Sequence, residues 1–162
     1  MINNIDKIKN SVKDFYRSNL FYVDFITPFS SDDIKFLVQA FNIPTKDVSY
    51  YEKKFFGETI YIPLQRNYSG EINITFLNDI HNKAYNLIEK WIEELHKTTN
   101  IVNYIKQCRL RLTSFYKDKE KVLIFYNVFP INRGDISYNY ESIDTIESFD
   151  VTFRYSSFQR RI

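Results

Sequence analysis

An α+β fold dominated by antiparallel strands, a β-sandwich or partial barrel carrying one packed α-helix at about residues 79–97, is what this sequence predicts. Three observations carry the prediction. Ile136, Tyr138 and Tyr140 alternate with Asp135, Ser137 and Asn139, and Phe149, Val151, Phe153 and Tyr155 alternate with Ser148, Asp150, Thr152 and Arg154, which is the period-two pattern of half-buried strands. Ile80, Ala84, Leu87, Ile88, Trp91, Ile92 and Leu95 instead form a stripe at helical spacing. With three Gly and four Pro in the whole chain, few residues are left to blunt strand edges, so the sheets need closure or pairing to avoid aggregating.

Taken in order, Ile5, Ile8, Val12 and Phe15 share one side of a short helix over 4–16, with Lys7, Lys9 and Lys13 opposite; such a helix needs a surface to dock on. Residues 19–27 read as a strand in which Phe21, Val23 and Phe25 alternate with Tyr22 and Asp24, stopped by Pro28. Residues 32–41 read two ways: Ser31 and Asp32 suit a helix cap, whereas Ile34, Phe36 and Val38 alternate as in a strand. Residues 43–63 form an extended hairpin, rich in Tyr and Lys, that turns near Phe56-Gly57. Exposed apolar edges of this kind aggregate unless covered, so Tyr50, Tyr51, Phe55 and Phe56 are expected to meet a partner.

Residues 71–77 make the next strand, with Ile72, Ile74 and Phe76 inward. Asn78 or Asp79 caps the helix over 79–97, and burying Leu87, Ile88, Trp91 and Ile92 at roughly 1.5–3 kcal/mol each fixes it on a sheet. Residues 107–117 and 121–128 form a hairpin around a charged turn. Phe129-Pro130, Asn132 and Gly134 make a fixed turn ahead of strands over 136–140 and 148–155, joined by a polar loop over 141–146. No internal repeat, low-complexity segment or linker interrupts the series.

A chain of 162 residues fits a single domain with core enough to fold without disulfides or metal. Its one cysteine, Cys108, excludes a disulfide framework and a multi-cysteine zinc site. The first eighteen residues are polar and charged rather than a signal peptide, and no apolar run reaches membrane-spanning length, so synthesis in the cytosol and no membrane partner are expected. A net charge of +2 names neither nucleic acid nor membrane. Thirteen Tyr and fifteen Phe exceed what such a core must hold, which puts some of them in contacts with other subunits.

The chemistry-bearing residues form no catalytic constellation. His81 and His96 lie about four helical turns apart on the predicted helix, too far to share a metal or a proton. Cys108 has no neighbouring His to lower its pKa and reads as a buried structural thiol at a strand start. Asp32 and Asp33, Glu93 and Glu94, and Asp118 and Glu120 fall in caps, helix faces or turns, where solvated charge explains them. Gly57, Gly70 and Gly134 are too dispersed for a phosphate loop. No catalytic, cofactor-binding or metal-ligating residue is assigned. Lys106, Arg109, Arg111, Lys117, Lys119 and Lys121, interleaved with Tyr104, Phe115 and Tyr116, leave a small single-stranded nucleic-acid-binding module as the reading of another class.

The series Phe129-Pro130, Gly134, the alternating run 136–140, an acidic loop and the terminal Glu147 to Thr152 strand resembles the tail tube proteins of contractile-tailed bacteriophages. Asn19-Leu20-Phe21, Ile43-Pro44 before the long hairpin, and Phe76-Leu77-Asn78-Asp79 leading to a helix with central Trp91 match in order, so the resemblance covers nearly the whole chain. It favours strand for residues 32–41. It implies a structural, non-enzymatic subunit of a virion tail, forming hexameric rings that stack into a DNA-conducting tube inside a contractile sheath. The implied partners are further copies of the chain, the sheath protein, the baseplate initiator and the tail terminator. A baseplate tube initiator, or the inner tube of a contractile secretion system, is the alternative within the fold.

The same resemblance implies that the 43–63 hairpin reaches the next ring through Tyr50, Tyr51, Phe55 and Phe56. DNA must slide without sticking, and each cation that neutralises a phosphate adds a salt-dependent contact. Arg109 and Arg111 are therefore expected to face sheath or neighbouring strands, leaving Asp150, Thr152 and Ser156 as lumen residues. One departure concerns charge: the family's lumens are acidic, whereas this chain is slightly basic and ends in Arg160-Arg161-Ile162.

Overall fold

The computed structural model describes residues 20–28, 37–68, 70–116, 119–136, 138 and 146–161; the predicted 4–16 helix and the 141–145 part of the polar loop lie outside them. Among the described residues, ten strands and two helices follow in order: β1 (Phe21–Ile26), β2 (Val38–Phe41), β3 (Lys46–Phe55), β4 (Glu58–Tyr68), β5 (Glu71–Leu77), α1 (Lys83–Lys97), α2 (Ile101–Gln107), β6 (Arg109–Tyr116), β7 (Lys119–Tyr126), β8 (Phe129–Arg133), β9 (Ser148–Arg154) and β10 (Ser157–Arg161). They build two four-stranded antiparallel sheets, β1-β6-β7-β10 and β2-β5-β9-β8, and a separate two-stranded arm, β3-β4. Neither sheet closes on itself, so the fold is the expected sandwich of antiparallel strands with a packed helix.

Alternation decides which side of each sheet is core. Val23, Phe25, Leu110, Leu112, Leu123 and Phe125 of the first sheet and Ile72, Ile74, Phe76, Phe149, Val151 and Phe153 of the second are buried in one cluster. Ring contacts join the layers: Phe25 lies 5.7 Å from Phe76 and 6.1 Å from Phe153. Helix α1 adds Ala84, Ile88 and Trp91 to the same cluster, with the Trp91 ring 5.6 Å from that of Phe153. The polypeptide then changes sheets without a loop. Tyr155 N–H donates to Gly70 O at the end of the second sheet, and Ser156 N–H donates to Tyr126 O at the edge of the first, so β9 and β10 clamp the sandwich at that corner.

Several boundaries differ from expectation. The helix begins at Lys83 rather than near 79, because Asn82 sits at φ 53 and breaks the first turn. Asp79 still serves that end from outside, its Oδ1 accepting Lys83 N–H at 2.8 Å. Ile80, placed on the apolar stripe by spacing alone, is therefore 92% exposed, and His81 precedes the helix. The short α2 was not anticipated; Asn100 caps it, its side chain accepting Asn103 N–H at 3.3 Å. Residues 129–133, read as a turn, form β8, and its Pro130 is tolerated because β8 is an edge strand. The predicted strand over 136–140 is absent at Ile136 and Tyr138, the only two of those residues described. Gly134 ends β8 instead: its N–H donates to Asp150 O at 2.6 Å, and a Cβ there would meet that oxygen at 2.9 Å. The strand over 32–41 is observed as β2 at Val38–Phe41, residues 32–36 lying outside the description.

Cys108 is fully buried, as expected of a structural thiol, and its Sγ donates to Tyr104 O at 3.4 Å. Burial pushes the thiol up to about 11. The folded protein at pH 8 should therefore resist a thiol reagent that modifies it fully in denaturant. Because the folded value exceeds the ordinary 9.0, the stabilisation is complete below that pH and is lost as pH rises towards the folded value. Melting midpoints that fall between pH 9 and 11, and fall less in Cys108→Ala, would register this.

Candidate functional site

Three surfaces stand out once the core is accounted for. The first is the solvent face of the β2-β5-β9-β8 sheet. The register sets Glu71 opposite Arg154, Asn73 opposite Thr152 and Thr75 opposite Asp150, and every one of these pairs is bonded. Arg154 Nη2 donates to Glu71 Oε1 at 2.7 Å, Thr152 Oγ1 to Asn73 Oδ1 at 2.9 Å, and Thr75 Oγ1 to Asp150 Oδ1 at 2.6 Å. The result is a polar ladder of three pairs, each worth roughly 0.2–1 kcal/mol, with Leu77 opposite Ser148 and Phe129 opposite Arg154 at its ends. Its only guanidinium on β5 and β9 is engaged by a carboxylate, while Asp150 is paired with a neutral hydroxyl. Asp150 and Thr152 both lie on this ladder; Ser156 does not, since it stands at the corner where the chain leaves for β10.

The second surface is the outer face of the β1-β6-β7-β10 sheet, on the opposite side of the sandwich. Arg109 and Arg111 lie here, Arg109 with its guanidinium 5.4 Å from the Tyr126 ring. The centre of this face is less open than simple alternation suggests: Thr113 is fully buried and Val122 nearly so, beside the Tyr22 and Phe115 rings 5.3 Å apart. The basic run is also dispersed. Lys106 is on α2, and Lys119 and Lys121 share the side of β7 that carries Leu123 and Phe125, opposite in pleat to Arg109 and Arg111. Cations divided in this way do not make one strand-binding groove.

The third surface is the arm. Among the described residues β3 and β4 pair only with each other, and the turn falls at Phe56-Gly57 as predicted, although β4 runs on to Tyr68. Both turn residues have positive φ, 48° and 86°, the two-residue loop that favours Asn-Gly. A phenylalanine in that conformation is strained by roughly 1–2 kcal/mol, and this one is 95% exposed. Tyr50, Tyr51 and Phe55 are exposed as well. Tyr50 packs edge-on against Tyr61, and Phe55 against Phe56 at 4.7 Å. Near the base, Lys46 Nζ sits 4.3 Å over the Phe158 ring, tethering the arm to β10. An isolated two-stranded hairpin is marginal in water.

Sequence reasoning located the aromatic arm and the Asp150 and Thr152 face. It missed Glu71, Asn73 and Thr75, their partners on β5, for which the signal was the polar half of the 71–77 alternation.

A model of the phage tail tube protein family matches residues 4–161. No curated protein sequence matches. Among solved structures, a chain of the sheath/tube terminator of the extracellular contractile injection system PVC, in its extended state, superposes with a TM-score of 0.67 at 13% identity, covering 93% of this chain and 99% of that one. A chain of the PVC sheath-tube complex gives 0.65 at 13%, covering 95% and 96%. One from the six-fold symmetrised anti-feeding prophage baseplate gives 0.66 at 8%, covering 93% and 97%. At such identities the likeness speaks for the fold, and it is the family match, spanning almost the whole length, that decides membership: this chain belongs to the phage tail tube protein family and is a structural subunit of a virion tail.

Proposed function

We propose that residues 1–162 act as one tube domain whose copies close into hexameric rings, stack into a hollow tube and conduct DNA, with the β2-β5-β9-β8 sheet lining the channel. The observation that carries this is the pairing of that sheet's polar ladder with its two open edges. Three antiparallel steps separate β2 from β8, so the edges run antiparallel to each other. A copy rotated about an axis along the strands presents β2 to the first copy's β8 with the alternation unbroken, and repetition closes a barrel with no edge left. Asp150 and Thr152 then face the lumen, with Ser156 near its rim, and Arg109 and Arg111 face outwards. The six-fold symmetrised baseplate among the similar structures supports six copies. The sheath-tube and terminator assemblies support a sheath and end-capping proteins as partners. Synthesis and assembly take place in the host cytoplasm.

Purified protein, treated with nuclease, should form rings or hollow tubes by electron microscopy without DNA. A protein that stays monomeric at high concentration and binds single-stranded oligonucleotides with steep salt dependence would overturn the reading.

The arm joins successive rings in this proposal, through Tyr50, Tyr51, Phe55 and Phe56. Tyr51→Glu or Phe56→Glu should leave a cooperative melt unchanged while tubes fail to grow. Phe56→Asn separates stability from function further: it suits the turn better, so amide protection across the arm should rise about fivefold, the equivalent of roughly 1 kcal/mol, while assembly is lost. Tubes of ordinary length in all three variants would remove the arm from the ring contact.

A further inference from the structure

The outer face of the β1-β6-β7-β10 sheet is covered where a sheet face of this kind is ordinarily wet. Neighbours on a sheet shield the flanks of a side chain and leave its top open. The other sheet shows the result: Thr75 and Thr152, on its two central strands, stay partly exposed. Thr113, on a central strand of the first sheet, is instead 0% exposed. It stands in a row that runs from Tyr22 of β1 through Thr113 to Val122 of β7, and Val122 is buried too. Burial is graded along the strands, because Phe115 and Ile124 beside the row are half-buried while Ile26 and Arg109 at the far end are exposed.

Connectivity decides which part of the chain reaches that row. Residues 1–19 join the sheet there: Leu20 O accepts Phe115 N–H at 3.0 Å, and Tyr22 lies opposite Thr113. Residues 29–36 leave β1 at its exposed end and lead to β2 of the other sheet, and residues 139–145 join two strands of that other sheet. Residues 117 and 118 are only the turn between β6 and β7. Size agrees as well. A helix over 4–16 is roughly 20 Å long at about 1.5 Å per residue, enough to cross four strands spaced about 4.8 Å apart. The face carries charges of both signs, Asp24 and Glu120 against Arg109 and Arg111, so apolar contact rather than charge selects what lies on it.

We infer that residues 4–16 of the same chain lie as a helix across this row, seating the stripe of Ile5, Ile8, Val12 and Phe15 on Phe115, Val122 and Ile124. The amphipathic segment thereby gains the surface that a short helix needs in order to form, and Lys7, Lys9 and Lys13 point away from the strands. In the proposed tube this face looks outwards, so a sheath subunit would meet the lysine side of the segment rather than the strands beneath. That consequence rests on the tube reading; the docking within the chain does not.

The test is maleimide labelling of Val122→Cys in the full chain. This thiol should react slowly by itself and at least about tenfold faster when Ile8→Asp and Val12→Asp break the stripe and let the segment open. Lys9→Glu with Lys13→Glu, on the opposite side of the segment, should leave the slow rate as it was. Thr152→Cys, on the other sheet, should react at one rate in all these backgrounds, and the buried Cys108 should stay unmodified as the sign that the fold survives. Where the double change makes Cys108 react, Phe15→Ser takes its place and should give the same acceleration. A Val122→Cys thiol that reacts fast with the stripe intact, or stays slow with the stripe broken and Cys108 protected, overturns the inference. Protection that weakens on dilution overturns it too, by assigning the cover to a neighbouring copy. Failure of the chain to form tubes would defeat the tube reading and leave this result standing.

Discussion

Replacing Trp91 with alanine should lower the stability of the subunit by about 3–5 kcal/mol. Trp91 is fully buried, and its ring meets Phe153, which meets Phe25 and Phe76 in turn. Removing the indole thus opens a void where the helix and both sheets converge. The helix keeps its form around that void: Asp79 receives Lys83 N–H at its start, and Thr98 N–H donates to Glu94 O at its finish. Arg133 Nε, 2.6 Å from Glu89 Oε1, ties it to β8 as well. For a domain of this size the loss corresponds to a melting midpoint lower by on the order of 10 °C. Ile80→Ala is the control, since Ile80 belongs to the same sequence stripe yet is exposed, and its midpoint should hardly move. If Trp91→Ala melted within a degree or two of the parent, the helix would not be joining the layers.

That contrast shows where sequence stops being sufficient. Period-two alternation located β1, β5 and β9 because each has one wet and one dry face, and the inward residues named from it are buried, apart from the half-buried Phe21 at the start of β1. Helical spacing located α1 but not its first residue: Ile80 continues the stripe numerically, and only the left-handed Asn82 takes it off the helix. Two elements carried weak or misleading signals. Pro130 with Gly134 imitates a turn, yet an edge strand tolerates the proline and the glycine is needed for close backbone approach to Asp150. In β10, Phe158 is the one apolar residue among polar neighbours, too short a pattern to read; its position is set by the sheet change at Tyr155 and Ser156. The ladder on β5 and β9 was half legible. A polar residue on an alternating strand is known to face outward, but its partner is fixed by register, which depends on strands some eighty residues apart.

The ladder also yields the largest functional effect we expect. In a phage whose tube subunit carries Asp150→Lys and Thr152→Lys, tubes should assemble while DNA passage slows severely. Both positions lie on the outer face of a central strand, where their partners are the exposed side chains of Thr75 and Asn73. Losing such surface pairs costs at most about 1 kcal/mol apiece. The electrostatic consequence is far larger, since in the proposed tube two cations per subunit recur around every ring and at every level of the stack. Each that neutralises a phosphate adds about 0.9 to the slope of log affinity against log salt, which would turn the proposed channel wall into a surface that holds DNA. Tubes of the double variant should retain double-stranded DNA at low salt and release it steeply as salt rises, whereas Asp150→Asn should behave almost as the parent. Lysines added beside Arg109 and Arg111, at Asp24→Lys and Gln159→Lys, should leave passage unchanged, because in the proposed tube that face looks away from the channel. Free ejection through the Asp150→Lys and Thr152→Lys tube, or blocked ejection through the Asp24→Lys and Gln159→Lys one, would exchange the two faces and put the other sheet in the lumen.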